Sequence, residues 1–154
     1  MKLSTKGKYS MYAMIYLAEH EAEAPLPLTA MTQTGVQPDY LEQLLASLRK
    51  AGLVTTVRGA HGGYALARPA ESISVGEIIR ATEGPVSMAG CTDDSRSCLS
   101  GETCPTRRAW DYLSGRINQL MDAISLRDVV TGEVNGGSRM NEQATNNINH
   151  QEAP

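Results

Sequence analysis

Three cysteines stand within fourteen residues, spaced Cys91-x6-Cys98-x5-Cys104. Thiolates are soft, strongly donating ligands, so three of them on a loop fit iron–sulfur ligation first and zinc second. The spacing lacks the tight C-x2-C knuckle common in zinc sites, which tilts the balance towards a cluster. A third reading, three unrelated buried thiols, suits the segment less well, because it is polar and aperiodic. An odd cysteine count in a chain that shows no secretion signal also speaks against a disulfide framework. Cys104 directly precedes Pro105 and a long helical pattern. It is therefore expected to be an N-cap, where unpaired N–H groups and the helix dipole favour the thiolate.

A second set of residues suits a polyanion. The net charge of −3 is unevenly spread: residues 1–68 carry seven basic residues against five acidic ones, and residues 69–154 carry seven against twelve. Lys2, Lys6, Lys8, Arg49, Lys50 and Arg58 are the candidate phosphate anchors, whose contacts would weaken as salt rises.

These residues need elements to carry them. Ala13, Met14, Leu17 and Ala18 fall at helical spacing and predict a first helix from Thr5 to about His20. Thr29–Thr34 predicts a short second helix closed by Gly35. Pro38 opens a third, in which Leu41, Leu44, Leu45 and Leu48 form one apolar stripe and Gly52 ends the run. Two short β-rich runs, Leu53–Val57 and Tyr64–Leu66, flank the glycine-dense Arg58-Gly59-Ala60-His61-Gly62-Gly63 and predict a hairpin. Ser74 and Glu77 are spaced as a capping box for a helix over Ser74–Ala81. Trp110, Leu113, Ile117, Leu120, Met121 and Ile124 line one face of a long helix from Thr106 to about Leu126. After Val130 the chain turns to Gly, Asn, Gln and Ser and reads as a disordered tail.

Three helices and then a hairpin is the order of a winged helix-turn-helix, so the fold class is mainly α with a small β-hairpin wing. The third helix is narrow enough for a major groove, and the hairpin can lie along the groove beside it. Opposite the leucine stripe stand Asp39, Gln43, Ala46 and Lys50, flanked by Tyr40, Glu42 and Ser47. That mostly uncharged polar surface suits base edges better than phosphates, with Glu42 accepting from a cytosine amino group as a selectivity element. Arg58 is placed for the minor groove, where arginine reads width and potential. A leucine-striped helix taken alone is usually just a packed surface helix; it is the combination with a wing that carries the DNA reading.

The motifs that hold these elements together also carry a resemblance. Met1-Lys2-Leu3-Ser4-Thr5-Lys6-Gly7-Lys8-Tyr9, Tyr40-Leu41-Glu42-Gln43-Leu44, Leu48-Arg49-Lys50-Ala51-Gly52-Leu53-Val54, Val57-Arg58-Gly59-Ala60-His61-Gly62-Gly63-Tyr64 and Val75-Gly76-Glu77-Ile78-Ile79 resemble the IscR-like winged-helix repressors over residues 1–130. That family regulates iron–sulfur cluster biogenesis and is related to the NsrR and CymR types. The resemblance implies a homodimer on a partly palindromic double-stranded DNA operator. It places Tyr40–Gln43 in the major groove and Arg58 in the minor groove. It also makes the long C-terminal helix a dimerisation helix, and Cys91, Cys98 and Cys104 the ligands of an iron–sulfur cluster, [2Fe–2S] before [4Fe–4S].

Two departures stand out. Where IscR has a histidine three residues after the last cysteine, this chain has Arg107, and the first cysteine gap is one residue longer. His20, His61 and His150 stand in the first helix, the wing and the tail, so the fourth ligand is left to Asp93, Asp94 or Glu102, to a partner subunit, or to a small exogenous group. Lys8 occupies the position of an acidic ligand in some nitric-oxide sensors of the family and cannot serve as one.

The expected organisation is a DNA-binding domain over 1–82, a cysteine-bearing loop over 83–105, a dimerisation helix and short extension over 106–130, and a tail over 131–154. The function expected is a cytoplasmic repressor sensing cluster, redox or nitric oxide status, without membrane association. The alternative is a cluster-free, CymR-like repressor controlled by a partner protein or small effector. An enzyme is not expected: Gly59-Ala60-His61-Gly62-Gly63 lacks the Lys and Ser/Thr of a phosphate-binding loop and opens no helix.

Overall fold

The computed structural model describes residues 3–32, 35–88 and 104–134. Helix α1 (Thr5–Glu19) starts at Ser4, whose side chain accepts from the backbone N–H groups of Lys6 and Gly7. It buries Ala13, Met14, Leu17 and Ala18, the four residues whose spacing announced it. Helix α2 (Leu28–Met31) is shorter than expected and begins one residue earlier; Met31 is its one buried side chain. Residues 33 and 34 lie outside the described residues.

Helix α3 (Pro38–Lys50) buries Leu41, Leu44, Leu45 and Leu48, each at most 1% exposed. Burial of side chains this size is worth about 2 kcal/mol apiece. The helix ends in a Schellman turn: Gly52, at φ +73°, donates to Arg49 O, and Leu53 donates to Leu48 O. Strand β1 (Val54–Val57) then pairs antiparallel with β2 (Gly63–Leu66), Val54 opposite Leu66 and Val57 opposite Gly63.

The wing has a third, one-residue strand at Leu26 that the sequence does not announce. Leu26 and Tyr64 exchange two backbone hydrogen bonds of 2.8 Å, so the segment after α1 pairs with β2. Gly63 is what allows this, because a Cβ there would run into the Leu26 carbonyl.

Helix α4 (Val75–Glu83) has the expected capping box, Ser74 with Glu77. Helix α5 (Arg107–Ala123) departs from expectation at its end. It stops at Ala123, and Ile124 is extended instead of lying on the helical face. Ile124 O accepts from Val75 N–H (2.9 Å), and Leu126 N–H donates to Ile73 O (2.7 Å). A new helix, α6 (Leu126–Thr131), then starts at a second capping box, Ser125 with Asp128. Leu126 is fully buried in the core shared with α1, α3 and Ile73. The pairing with Ile73–Val75 and this burial are gained only if the long helix breaks. The core of the N-terminal helices and hairpin is therefore completed by residues that follow α5.

Candidate DNA-binding surface and cysteine segment

Helix α3 presents Asp39, Glu42, Gln43, Ala46, Arg49 and Lys50 to solvent, opposite its buried leucines. Asp39 in the first turn and Arg49 with Lys50 in the last also complement the helix dipole, so part of their placement serves the helix itself. Tyr40 is half-buried and meets the Tyr9 ring edge-on at 6.3 Å, which fixes α3 against α1. Lys6 and Lys8 are exposed on the first turns of α1, and the Lys8 ammonium lies 5.7 Å from the centre of the Tyr12 ring.

Arg58 leaves β1 into the exposed wing turn, where Gly59 takes φ +117° and accepts from Gly62 N–H at 3.0 Å. Among the described residues, ion pairs are confined to Arg68, Arg80, Arg107 and Arg127. Among those residues Lys6, Lys8, Arg49, Lys50 and Arg58 form none. The candidate phosphate contacts are thus cations without an ion pair among the described residues, whereas Arg68, Arg80 and Arg127 fasten one segment to another.

Of the three cysteines, Cys104 is described; Cys91 and Cys98 lie outside the described residues, as do Asp93, Asp94, Glu102 and His150. Cys104 is not the N-cap of α5, a place taken by Thr106. Pro105 and Thr106 instead form a turn in which Arg107 N–H donates to Cys104 O at 3.2 Å. The effect expected of a cap survives through other donors. Cys104 Sγ lies 3.2 Å from Thr106 Oγ1, and this hydrogen bond, then the Thr106 backbone N–H, hold the thiol below its ordinary range. Arg107 stands 4.0 Å from Asp111 and has no lone pair to offer a metal. Among the described residues no three His, Cys, Asp or Glu side chains come together as a metal site.

Both ends of the cysteine segment are tied to α5. Asn118 donates to Val86 O at 2.9 Å, and Ser114 accepts from Met88 N–H at 3.0 Å. Cys104 meets the same helix at its first turn. Ser114 follows Arg107 by seven residues, about 10 Å of helix. Ser114 and Asn118 were not singled out from sequence, although two polar residues four apart beside an apolar stripe are a signal for such a strap. Along that stripe Leu113 and Leu120 are 40% and 42% exposed, Trp110, Ile117 and Met121 are half-buried, and only Ser114 is buried. No described helix is long and apolar enough to cross a membrane.

Comparison with known proteins agrees with this architecture. Residues 3–132 match the family model described as "Rrf2: Iron-dependent Transcriptional regulator". The chain belongs to the Rrf2 family of transcriptional regulators. It is 40% identical to the HTH-type transcriptional regulator IscR of Erwinia tasmaniensis over 134 residues, 86% of this chain and 81% of that protein. Among solved structures it is similar to T. potens IscR, with a TM-score of 0.69 and 40% identity over 86% of this chain and 88% of that one. It is also similar to CymR, the global cysteine regulator of B. subtilis, with a TM-score of 0.71 and 37% identity over 85% of this chain and 97% of that one. The Rrf2 relatives are named as regulators and not as enzymes, and their winged-helix fold is the one expected here.

Proposed function

We propose that this Rrf2 regulator is a cytoplasmic homodimeric repressor that senses iron–sulfur cluster, redox or nitric oxide status through Cys91, Cys98 and Cys104. The observation that carries the sensory part is the double attachment of the cysteine segment to α5. Cys91 follows Met88 by three residues in the chain, a reach of at most about 10 Å, and Met88 and Cys104 each bond to α5, at Ser114 and at Arg107. Cys104 suits thiolate ligation: its sulfur is hydrogen-bonded and its acidity raised. A cluster held there would supply a centre sensitive to electron transfer and to nitric oxide.

The chain's own residues do the rest. Asp39, Tyr40, Glu42 and Gln43 offer a reading face to the major groove, and Arg58 enters the minor groove. Lys6, Lys8, Arg49 and Lys50 meet phosphates. The face formed by Trp110, Leu113, Ile117, Leu120 and Met121 joins the two subunits, with Ile124 removed from it by the break after Ala123.

A second reading, a cluster-free repressor like CymR, draws on Arg107, which leaves the three thiols without a protein ligand at the position where a histidine is expected. Protein purified without oxygen separates the two. The cluster reading expects a visible absorption band with iron and acid-labile sulfide in equal amounts. Cys98→Ala should lose that band while remaining a folded dimer. Colourless wild-type protein that binds its operator unchanged would leave the CymR-like reading standing, and full colour in Cys98→Ala would remove Cys98 from the ligand set.

A further inference from the structure

The opening motif contains two residues for which groove contact gives no account, Ser4 and Gly7. The structure supplies one in Glu83, the last residue of α4. Its Oε1 accepts from Ser4 N–H at 3.1 Å, from Ser4 Oγ–H at 2.7 Å and from Gly7 N–H at 3.0 Å. Gly7 is buried beneath this carboxylate, and a Cβ there would collide with Glu83 Oε1. A residue 79 positions away thus holds the cap residue Ser4 and gives Gly7 N–H a closer acceptor than Ser4 Oγ, which lies at 3.4 Å.

Glu83 also stands at a junction. Gly84, at φ +84°, turns the chain out of α4, and Val86 and Met88 then fasten to α5. On its other side α4 is pinned to α5 by Arg80, whose guanidinium bonds both Asp122 oxygens at 2.6 and 3.2 Å. One carboxylate therefore links the root of the cysteine segment to the turn that carries Lys6 and Lys8.

We propose that Glu83 is a positioning residue for DNA binding: it fixes the first turn of α1, and with it Lys6 and Lys8, relative to the segment that bears the cysteines. This rests on the reading of those lysines as phosphate contacts. Without the carboxylate the first turn keeps only the Ser4 cap and frays more readily, and ordering the lysines on DNA costs more.

The test uses the full chain and an operator selected from a random double-stranded library. Glu83→Ala should weaken operator binding about fivefold, the scale of a lost cap, and should speed amide exchange over residues 4–8. Glu83→Gln keeps the accepting oxygen and should stay within about twofold of wild type, whereas Glu83→Asp withdraws that oxygen by one methylene and should behave like Ala. The Asp variant also serves if Ala does not fold. In a chain already carrying Lys6→Ala and Lys8→Ala, Glu83→Ala should cost no further affinity. The proposal is overturned by wild-type binding in Glu83→Ala and Glu83→Asp. It is overturned equally by an undiminished loss when both lysines are absent, or by tighter binding in Glu83→Gln, which would mark the carboxylate as a repellent of phosphate. Failure of the phosphate reading looks different: the double lysine variant would then bind as wild type while exchange over residues 4–8 still answers to Glu83.

Discussion

At the scale of single residues, the fold divides its cations into two groups. Arg68, Arg80 and Arg127 hold carboxylates at 2.6–2.8 Å and serve the architecture. Arg58 stands alone on a turn and has no structural duty, so its loss should be felt in binding and not in stability. Arg58→Ala is expected to lower operator affinity about tenfold for all related sequences and to reduce the salt dependence by about one charge. Glu42→Ala should leave total affinity nearly unchanged and relax the preference at one base pair, worth about 1–3 kcal/mol. Titrations of both variants at several salt concentrations against single-base operator variants check this. A preferred sequence untouched by Glu42→Ala would place α3 elsewhere than on base edges. Glu42 could be named from sequence because a helical wheel needs only the leucine stripe to orient it, and Arg58 because it borders the glycine-dense turn of the hairpin. Glu83 could not, because its partners lie 79 residues earlier and no local pattern joins them.

At the scale of elements, local rules worked wherever an element is stopped by its own residues. The Leu41–Leu48 stripe, Gly52 and the Ser74–Glu77 box each place a boundary by short-range chemistry, and the structure has those boundaries. The continuous helix expected from Thr106 to Leu126 failed for the opposite reason. Its periodicity runs on, but pairing with Ile73–Val75 and burial of Leu126 break it, and both are long-range gains. The one local clue was Ser125 with Asp128, spaced as a capping box. Leu26 escaped notice similarly, since a single rung on β2 leaves no alternating pattern.

The box of α4 also predicts acid behaviour. Burial, the largest single influence, pushes the Glu77 carboxyl up, but the Ser74 backbone N–H and the Arg68 guanidinium together outweigh it, and the group sits below the usual carboxylate range. A lowered folded value means that stability is present above the unfolded pKa, about 4.3, and is lost as pH falls through the folded one. Urea midpoints measured from pH 7 down to pH 3 should fall in wild type and fall less in Glu77→Gln. The substitution itself should cost about 0.5–1 kcal/mol at pH 7, since both partners are more than a third exposed. Parallel curves for the two proteins would remove Glu77 from the acid transition.

For the whole molecule, the described residues form one core with one face left over. Leu113 and Leu120 on α5 remain open to solvent within a chain whose other helices bury their apolar stripes. Leu113→Asp should convert the dimer to a monomer by sedimentation, with little change in melting of the winged-helix core and a large loss of affinity for a two-half-site operator. A monomeric wild type would remove α5 as the joining helix. The order of a winged helix-turn-helix followed by a long helix was plain from the sequence, whereas the return of α6 to α1 was not.

That return has a bearing on synthesis. Residues 3–82 leave the ribosome before Leu126, and until it arrives the groove against α1 stays open. The winged-helix half precedes the residue that completes its core, so a nascent chain paused before α6 would carry a bare apolar cleft for chaperones to shield.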